Sequence, residues 1–208
     1  MILYNCEQRS EAWHEARLGR ITGTRFKNLM SKESTASYQD LITDLACEIV
    51  TGKAEETYVN ATMEAGIETE PEARKEYENI FGVDVIEVGF VIPDEGHKYH
   101  DWVGISPDGL IDNGMIEIKC PLMKTHMEYI FSNRLPSEYL YQVQGQLFVT
   151  GREYCDFMSY VSGMKPFIIR VYPDLELHSI FETKLDAIIE RVKEKIERYN
   201  KYEIDLMP

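Results

Sequence analysis

Apolar side chains recur at helical spacing along residues 38–51, and the run ends at Gly52, so the pattern predicts a helix there. Two shorter helical stretches precede it, 9–18 and 22–31, broken at Gly19. Residues 60–81 continue the helical pattern, with Pro71 marking a kink or a second start and Gly82 a stop. The character then changes. Residues 83–92 are β-branched and partly alternating, which predicts a strand, and 102–105, 109–112 and 115–120 extend the same sheet. Helical spacing returns over 124–132 and 137–149, followed by a strand pair at 153–161 and 166–172. The final segment, 174–202, carries Phe181, Leu185, Ile188, Ile189, Val192, Ile196 and Tyr199 on one face, with charged residues between them.

This order of elements predicts an α/β fold, a mixed central sheet flanked by helices. No repeat, low-complexity tract or linker interrupts the chain, so residues 1–208 are expected to form a single domain. No apolar run reaches the roughly 20 residues of a membrane span, and the N-terminus has no secretory pattern. A cytosolic protein is therefore expected, with no membrane partner. The four cysteines, Cys6, Cys47, Cys120 and Cys155, are scattered singly and read as inert, mostly buried thiols. That spacing matches neither a zinc ribbon nor an iron–sulfur cluster.

The formal charge of −14 argues against a broadly basic nucleic-acid surface. It does not exclude local contacts to DNA through metal ions, main-chain amides and a few basic side chains. No glycine-rich phosphate loop is present, so an ATPase reading has no support. His97 and His100 form an isolated pair, read as surface residues rather than metal ligands. Trp13 reads as a core residue.

The informative stretch runs from Ile105 to Pro121. Asn113-Gly114 between two apolar runs is a hairpin signal. With those two residues as the turn, Asp112 faces Met115, Leu110 faces Glu117 and Asp108 faces Lys119. Asp108, Glu117 and Lys119 then share one side of the sheet; a three-residue loop would change the register and undo the inference. Two carboxylates and an amine between apolar neighbours are costly unless they do chemistry. Hard oxygen donors suit Mg²⁺ or Mn²⁺, which can polarise a phosphodiester and acidify an attacking water. A cross-strand ion pair is the plainer reading of Glu-x-Lys alone.

Four blocks in order carry a family resemblance: Ala12-Trp13-His14-Glu15-Ala16-Arg17 through Thr24, Gly66 through Arg74, Ser106-Pro107-Asp108-Gly109-Leu110 with Ile116-Glu117-Ile118-Lys119-Cys120-Pro121, and Tyr141-Gln142-Val143-Gln144. Together they resemble the lambda-exonuclease (YqaJ-type) viral recombination nucleases of the PD-(D/E)xK superfamily, from about residue 8 to residue 150. The resemblance implies a restriction-endonuclease-like core. It assigns Asp108, Glu117 and the Ile118 carbonyl to metal binding, Lys119 to the attacking water, and Gln142 to the edge of the metal site. Glu70 would help hold a second metal, in an acidic run that also contains Glu64, Glu68 and Glu72. Arg17, Thr24 and Ser106 would receive a 5′-phosphate, Thr24 standing where the best-known relative has serine. Met63 falls at the position of a strand-separating wedge.

The activity so implied is exonucleolytic degradation of linear double-stranded DNA from the 5′ end to mononucleotides, with Mg²⁺ or Mn²⁺, two per site, leaving a 3′ single strand. The resemblance further implies a homotrimeric ring and a single-strand annealing recombination protein as partner. The expected setting is the cytoplasm of a bacterial host, with the gene borne by a phage or prophage. Arg9, Arg17, Arg25, Lys27 and Arg134 are candidates to line the ring's channel. The rival readings are a RecB- or Cas4-like nuclease of other end preference, and a catalytically silent DNA-end-binding module on the same fold.

Overall fold

The computed structural model describes residues 1–54 and 61–203; the side chains of 61–63, and with them the expected wedge at Met63, lie outside the described residues. In chain order the elements are β1 (Ile2–Tyr4), α1 (Glu11–Arg17), a 3-10 turn (Gly23–Arg25), α2 (Phe26–Leu29), α3 (Ala36–Thr51), α4 (Ala61–Phe81), β2 (Phe90–Ile92), β3 (Gly109–Ile111) and β4 (Gly114–Lys119). They continue with α5 (Met123–Ser132), a second 3-10 turn (Ser137–Tyr139), α6 (Leu140–Thr150), β5 (Tyr154–Ser159), β6 (Phe167–Val171) and α7 (Leu175–Asn200). Ser10 and Asp174 cap α1 and α7 by accepting the main-chain N–H groups of Trp13 (3.3 Å) and Leu177 (3.0 Å). Among the described residues no helix is long and apolar enough to cross a membrane.

The central sheet has the order β3-β4-β5-β6, with β4 and β5 parallel and the outer pairs antiparallel. The parallel pair needs a crossover, and α5 and α6 supply it. Period-two alternation divides β4 between two cores. Met115 joins Leu110, Val143, Leu147 and Phe157 on the α6 side. Ile116 and Ile118 join Ala73 and Tyr77 of α4 on the other. Glu117 and Lys119 therefore point to the α6 side by the same alternation. A third core joins α3 and α7 through Leu41, Leu45, Phe181, Leu185, Ile188 and Val192.

Several expectations are corrected. The hairpin turn is Asp112-Asn113, with Ile111 opposite Gly114 and Leu110 opposite Met115, not Glu117. Asp112 takes the positive φ of 36° that the turn requires. This register differs from the expected one by two residues, and a slip of two preserves which face each side chain takes.

The strand expected over 83–92 is divided. Ile86 makes a single bridge to Leu110 of the central sheet, whereas Phe90–Ile92 pairs antiparallel with β1 in a separate two-stranded sheet. Between them Gly89 passes so close to the Cys6 carbonyl that a Cβ would lie 2.0 Å from its oxygen. Residues 102–105 likewise contribute only isolated bridges, Val103 to Ile21 and Ile105 to Val91. Finally, of the four thiols only Cys155 is fully buried and Cys47 is exposed. Pro71 sits inside a continuous α4, so no second helix starts there.

Candidate active site

Asp108 immediately precedes β3, and Glu117 and Lys119 lie on β4. The Asp108 carboxylate Oδ2 accepts the Ile118 main-chain N–H at 2.6 Å, which fixes it against the neighbouring strand. Glu117 is 1% exposed. Its Oε1 accepts from the Lys119 ammonium and from the Gln142 amide, and its Oε2 accepts from Gln146 Nε2 at 2.6 Å. Gln142 and Gln146 are one helical turn apart on α6, so one face of that helix presents both amides to the same carboxylate. The Lys119 ammonium also stands 5.4 Å from the centre of the Tyr139 ring.

Electrostatics ties the three groups together. Burial, reinforced by the negative charge of Glu117, pushes the Asp108 carboxyl well above the usual carboxylate range. Burial pulls the Lys119 ammonium down, but Glu117 and Asp108 outweigh it and hold the ammonium more firmly protonated than an ordinary lysine. Two carboxylates facing one ammonium leave an excess of negative charge in a shielded place. A divalent cation beside Asp108 and Glu117 fits that excess.

A second observation agrees. Gln146 Oε1 is buried beside Glu117 with no hydrogen-bond partner among the described residues, the kind of acceptor that a cation's bound water satisfies. Among the described residues no three His, Cys, Asp or Glu side chains gather closely enough to hold an ion. The side chains that could hold a cation here are the two carboxylates Asp108 and Glu117, and the remaining positions would fall to main-chain oxygen, water or phosphate.

Glu70 lies on α4 and lines a cleft of about 630 Å³ together with Asp108, Arg74, Arg9 and Gln8. It is engaged by arginine: its Oε1 accepts from Arg74 at 2.9 Å, and its Oε2 stands 3.6 Å from Arg9. Of the expected channel residues, Arg9 is thus paired with Glu70, and Arg25 with buried Glu48.

The expected phosphate pocket is partly assembled. Arg17 Nη1 donates to Ser106 Oγ at 3.4 Å, and Trp13 Nε1 donates to the same oxygen at 2.8 Å. The guanidinium carbon lies over Trp13, 4.0 Å from the ring centre, so Trp13 supports the pocket as well as its local core. Thr24 is exposed, and the threonine that meets Arg17 is Thr22, at 3.4 Å. Burial and then the charge of Arg25 pull the Arg17 pKa down to about 10, with Glu48 opposing. Among the described residues Arg17 has no ion-paired carboxylate, which leaves its charge available to an anion.

His97 and His100 are used locally. His97 accepts the Tyr99 main-chain N–H at 3.2 Å, and His100 Nδ1 lies 2.9 Å from the Pro93 carbonyl.

The model of the YqaJ-like viral recombinase domain matches residues 12–153, more than half of the chain. The chain belongs to this family. Among solved structures, the alkaline exonuclease LHK-Exo of Laribacter hongkongensis matches with a TM-score of 0.82 and 37% identity, over 92% of this chain and 97% of its own. Its complex with dAMP matches equally, with a TM-score of 0.82. A phage-related exonuclease from Haemophilus somnus 129PT matches with a TM-score of 0.63 over 86% of this chain and 96% of its own, and at 12% identity it speaks for the fold alone. No curated protein matches the chain. The YqaJ-like protein is accordingly a nuclease on a restriction-endonuclease-like core.

Four residues that touch this site were assigned no role from the sequence: Gln8, Thr22, Arg74 and Gln146. Gln146 alone left a signal, its position one helical turn after Gln142. The others act through partners that sequence spacing does not reveal.

Proposed function

We propose that this protein is a metal-dependent exonuclease that degrades linear double-stranded DNA from the 5′ end to mononucleotides and leaves a 3′ single strand for annealing. The observation that carries the proposal is the buried Glu117 carboxylate, gripped by Lys119, Gln142 and Gln146 beside an Asp108 whose ionisation is opposed by the same surroundings. Such an arrangement is unfavourable for stability alone and favourable for holding Mg²⁺ or Mn²⁺. Asp108, Glu117 and the Ile118 carbonyl would hold the cation, which would supply positive charge to the scissile phosphate and acidity to the attacking water. Glu70 would help hold a second ion, two in all, by giving up its present pairing with Arg74 and Arg9.

The protein's own groups do the rest. Lys119, kept protonated by its two carboxylate neighbours, donates a hydrogen bond to the incoming water or to a phosphate oxygen. Gln142 and Gln146 hold both Glu117 oxygens so that the carboxylate does not rotate away. Arg17, over the Trp13 ring and braced by Ser106 and Thr22, receives the terminal 5′-phosphate; Thr24 lies on the exposed side of the same turn and adds a hydroxyl once DNA is bound. The relative from Laribacter has been solved with dAMP, and a mononucleotide of that class is the product expected here.

A single domain, a homotrimeric ring, a single-strand annealing recombination protein as partner and a setting in the bacterial cytoplasm complete the reading. A ring reconciles the charge of −14 with action on DNA, because enclosure retains the substrate without an extensive basic surface.

The test uses Mg²⁺ and linear duplex DNA bearing either a 5′-phosphate or a 5′-hydroxyl, with wild type beside Lys119→Ala. Release of mononucleotides by the wild type, faster from phosphorylated ends, and a loss of about 10²-fold or more in the variant are expected. Equal activity of the two proteins removes Lys119 from the reaction. Internal cleavage of circular duplex at the same rate removes the exonuclease reading.

A further inference from the structure

We propose that Arg74 and Gln8 are positioning residues, which fix the main chain of Asp108 and so set the affinity of the acidic pair for a divalent cation. The proposal rests on the reading that Asp108 and Glu117 hold that cation.

Ser106, Pro107 and Asp108 lie outside any strand, since β3 begins only at Gly109. No sheet ladder holds them, and Pro107 has no N–H to donate. Instead each is gripped by a side chain from a different part of the chain. Trp13 Nε1 donates to Ser106 Oγ at 2.8 Å, Gln8 Nε2 to the Pro107 carbonyl at 3.0 Å, and Arg74 Nε to the Asp108 carbonyl at 3.1 Å. The same Gln8 nitrogen also reaches the Val88 carbonyl at 3.0 Å, which ties the segment to the crossing between the two sheets.

Arg74 spends its remaining donors on Glu70 Oε1 at 2.9 Å and Glu87 Oε1 at 2.8 Å, and its side chain is only 12% exposed. One planar guanidinium therefore joins α4, the segment before β2 and the Asp108 main chain, a geometry that a lysine cannot reproduce. Groups that orient a metal ligand without touching the metal typically change affinity by about 10–100-fold when removed.

The alternative role for Arg74 is to neutralise Glu70, and it predicts the opposite sign. Loss of that positive charge would leave the site more negative and tighten cation binding. Arg74→Lys keeps the charge and loses the fork; Gln8→Leu alters no charge at all. Both isolate positioning from neutralisation.

The experiment titrates Mn²⁺ into wild type, Arg74→Lys, Gln8→Leu and Asp108→Asn, reading free Mn²⁺ by electron paramagnetic resonance, with a thermal melt on each. Parallel assays on linear duplex DNA measure the Mg²⁺ concentration for half-maximal rate. Arg74→Lys and Gln8→Leu are expected to bind Mn²⁺ about 10-fold more weakly, to need correspondingly more Mg²⁺, and to be rescued by excess Mg²⁺. Wild-type Mn²⁺ affinity in both, with weak binding by Asp108→Asn, overturns the positioning role and leaves the metal reading standing. Tighter binding by Arg74→Lys also overturns it. Wild-type affinity in Asp108→Asn removes the metal reading, and the proposal falls with it. If Arg74→Lys fails to fold, Gln8→Leu alone decides.

Discussion

Replacing Glu48 with leucine removes the buried anchor of the turn that follows Arg17. Glu48 lies on α3 with 7% of its side chain exposed and forms an ion pair with Arg25. Its Oε2 accepts the Gly19 main-chain N–H at 2.8 Å and Arg25 Nη1 at 3.0 Å. Leucine leaves that N–H without its acceptor and Arg25 with only the Arg20 carbonyl, at 3.0 Å.

Breaking a buried ion pair from one side typically costs about 3–5 kcal/mol. The remaining Arg20 contact and a quarter-exposed Arg25 reduce this to about 2–4 kcal/mol. For a chain of this size each kcal/mol moves the melting temperature by roughly 2–4 °C, so a fall of about 4–16 °C is expected. Arg25→Leu added to Glu48→Leu removes the stranded charge, and the pair should couple by about 2 kcal/mol in a double-mutant cycle. Differential scanning calorimetry on the four proteins supplies every term. A fall below about 2 °C, or strict additivity, refutes the reasoning. The same variant should lose preference for 5′-phosphorylated ends, because Gly19 sets the turn behind Arg17, while Mn²⁺ affinity stays at the wild-type value.

Other consequences are simpler to check. Arg17→Lys should keep the charge but lose the two-pronged grip on a terminal phosphate, cutting the rate preference for 5′-phosphate over 5′-hydroxyl ends by about 10-fold in initial-rate assays. Gly145→Ala places a Cβ 2.5 Å from the Phe26 ring, and the resulting overpacking should destabilise the fold by about 1–3 kcal/mol in urea titrations. Burial, and then its hydrogen bond to Asp156, push the Tyr77 hydroxyl above the ordinary tyrosine range. The folded state retains that proton where the unfolded chain gives it up. The stability it contributes is therefore complete below about pH 10 and is lost as pH rises further. Tyr77→Phe should flatten the alkaline limb of stability against pH; an unchanged slope would remove Tyr77 as its source.

The helices were legible where an apolar stripe met a single core. The spacing over 38–51 and 174–202 corresponds to α3 and α7, which pack on each other through Leu41, Leu45, Phe181 and Leu185. The sheet was legible as a fold class but not in detail. Residues 83–92 have uniform β character, yet Ile86 serves one sheet and Phe90 another, and only the tertiary approach of Cys6 to Gly89 divides them. The hairpin register was misplaced because Asn113-Gly114 is a strong local turn signal, while Gly114 is needed in the strand, where a Cβ would sit 2.3 Å from the Tyr154 ring.

The acidic pair and Lys119 were nevertheless placed together, because a slip of two residues keeps each side chain on its own face. At the Arg17 pocket the family pattern pointed to Thr24, whereas the Arg17 side chain meets Thr22, two positions earlier in a turn that is not helical at that point. Gln8 and Arg74 hold main-chain carbonyls 99 and 34 residues away. No local pattern announces such contacts, since a carbonyl acceptor has no sequence identity.

The claim on which this account depends is that Asp108 and Glu117 share a divalent cation. Crystals soaked in Mn²⁺ and measured near the manganese absorption edge test it directly. An anomalous peak bonded to both carboxylates and to the Ile118 carbonyl is expected, and it should be lost in Glu117→Gln crystals. Mn²⁺-saturated crystals with no peak between the two acids, or with the peak persisting after that substitution, would contradict it.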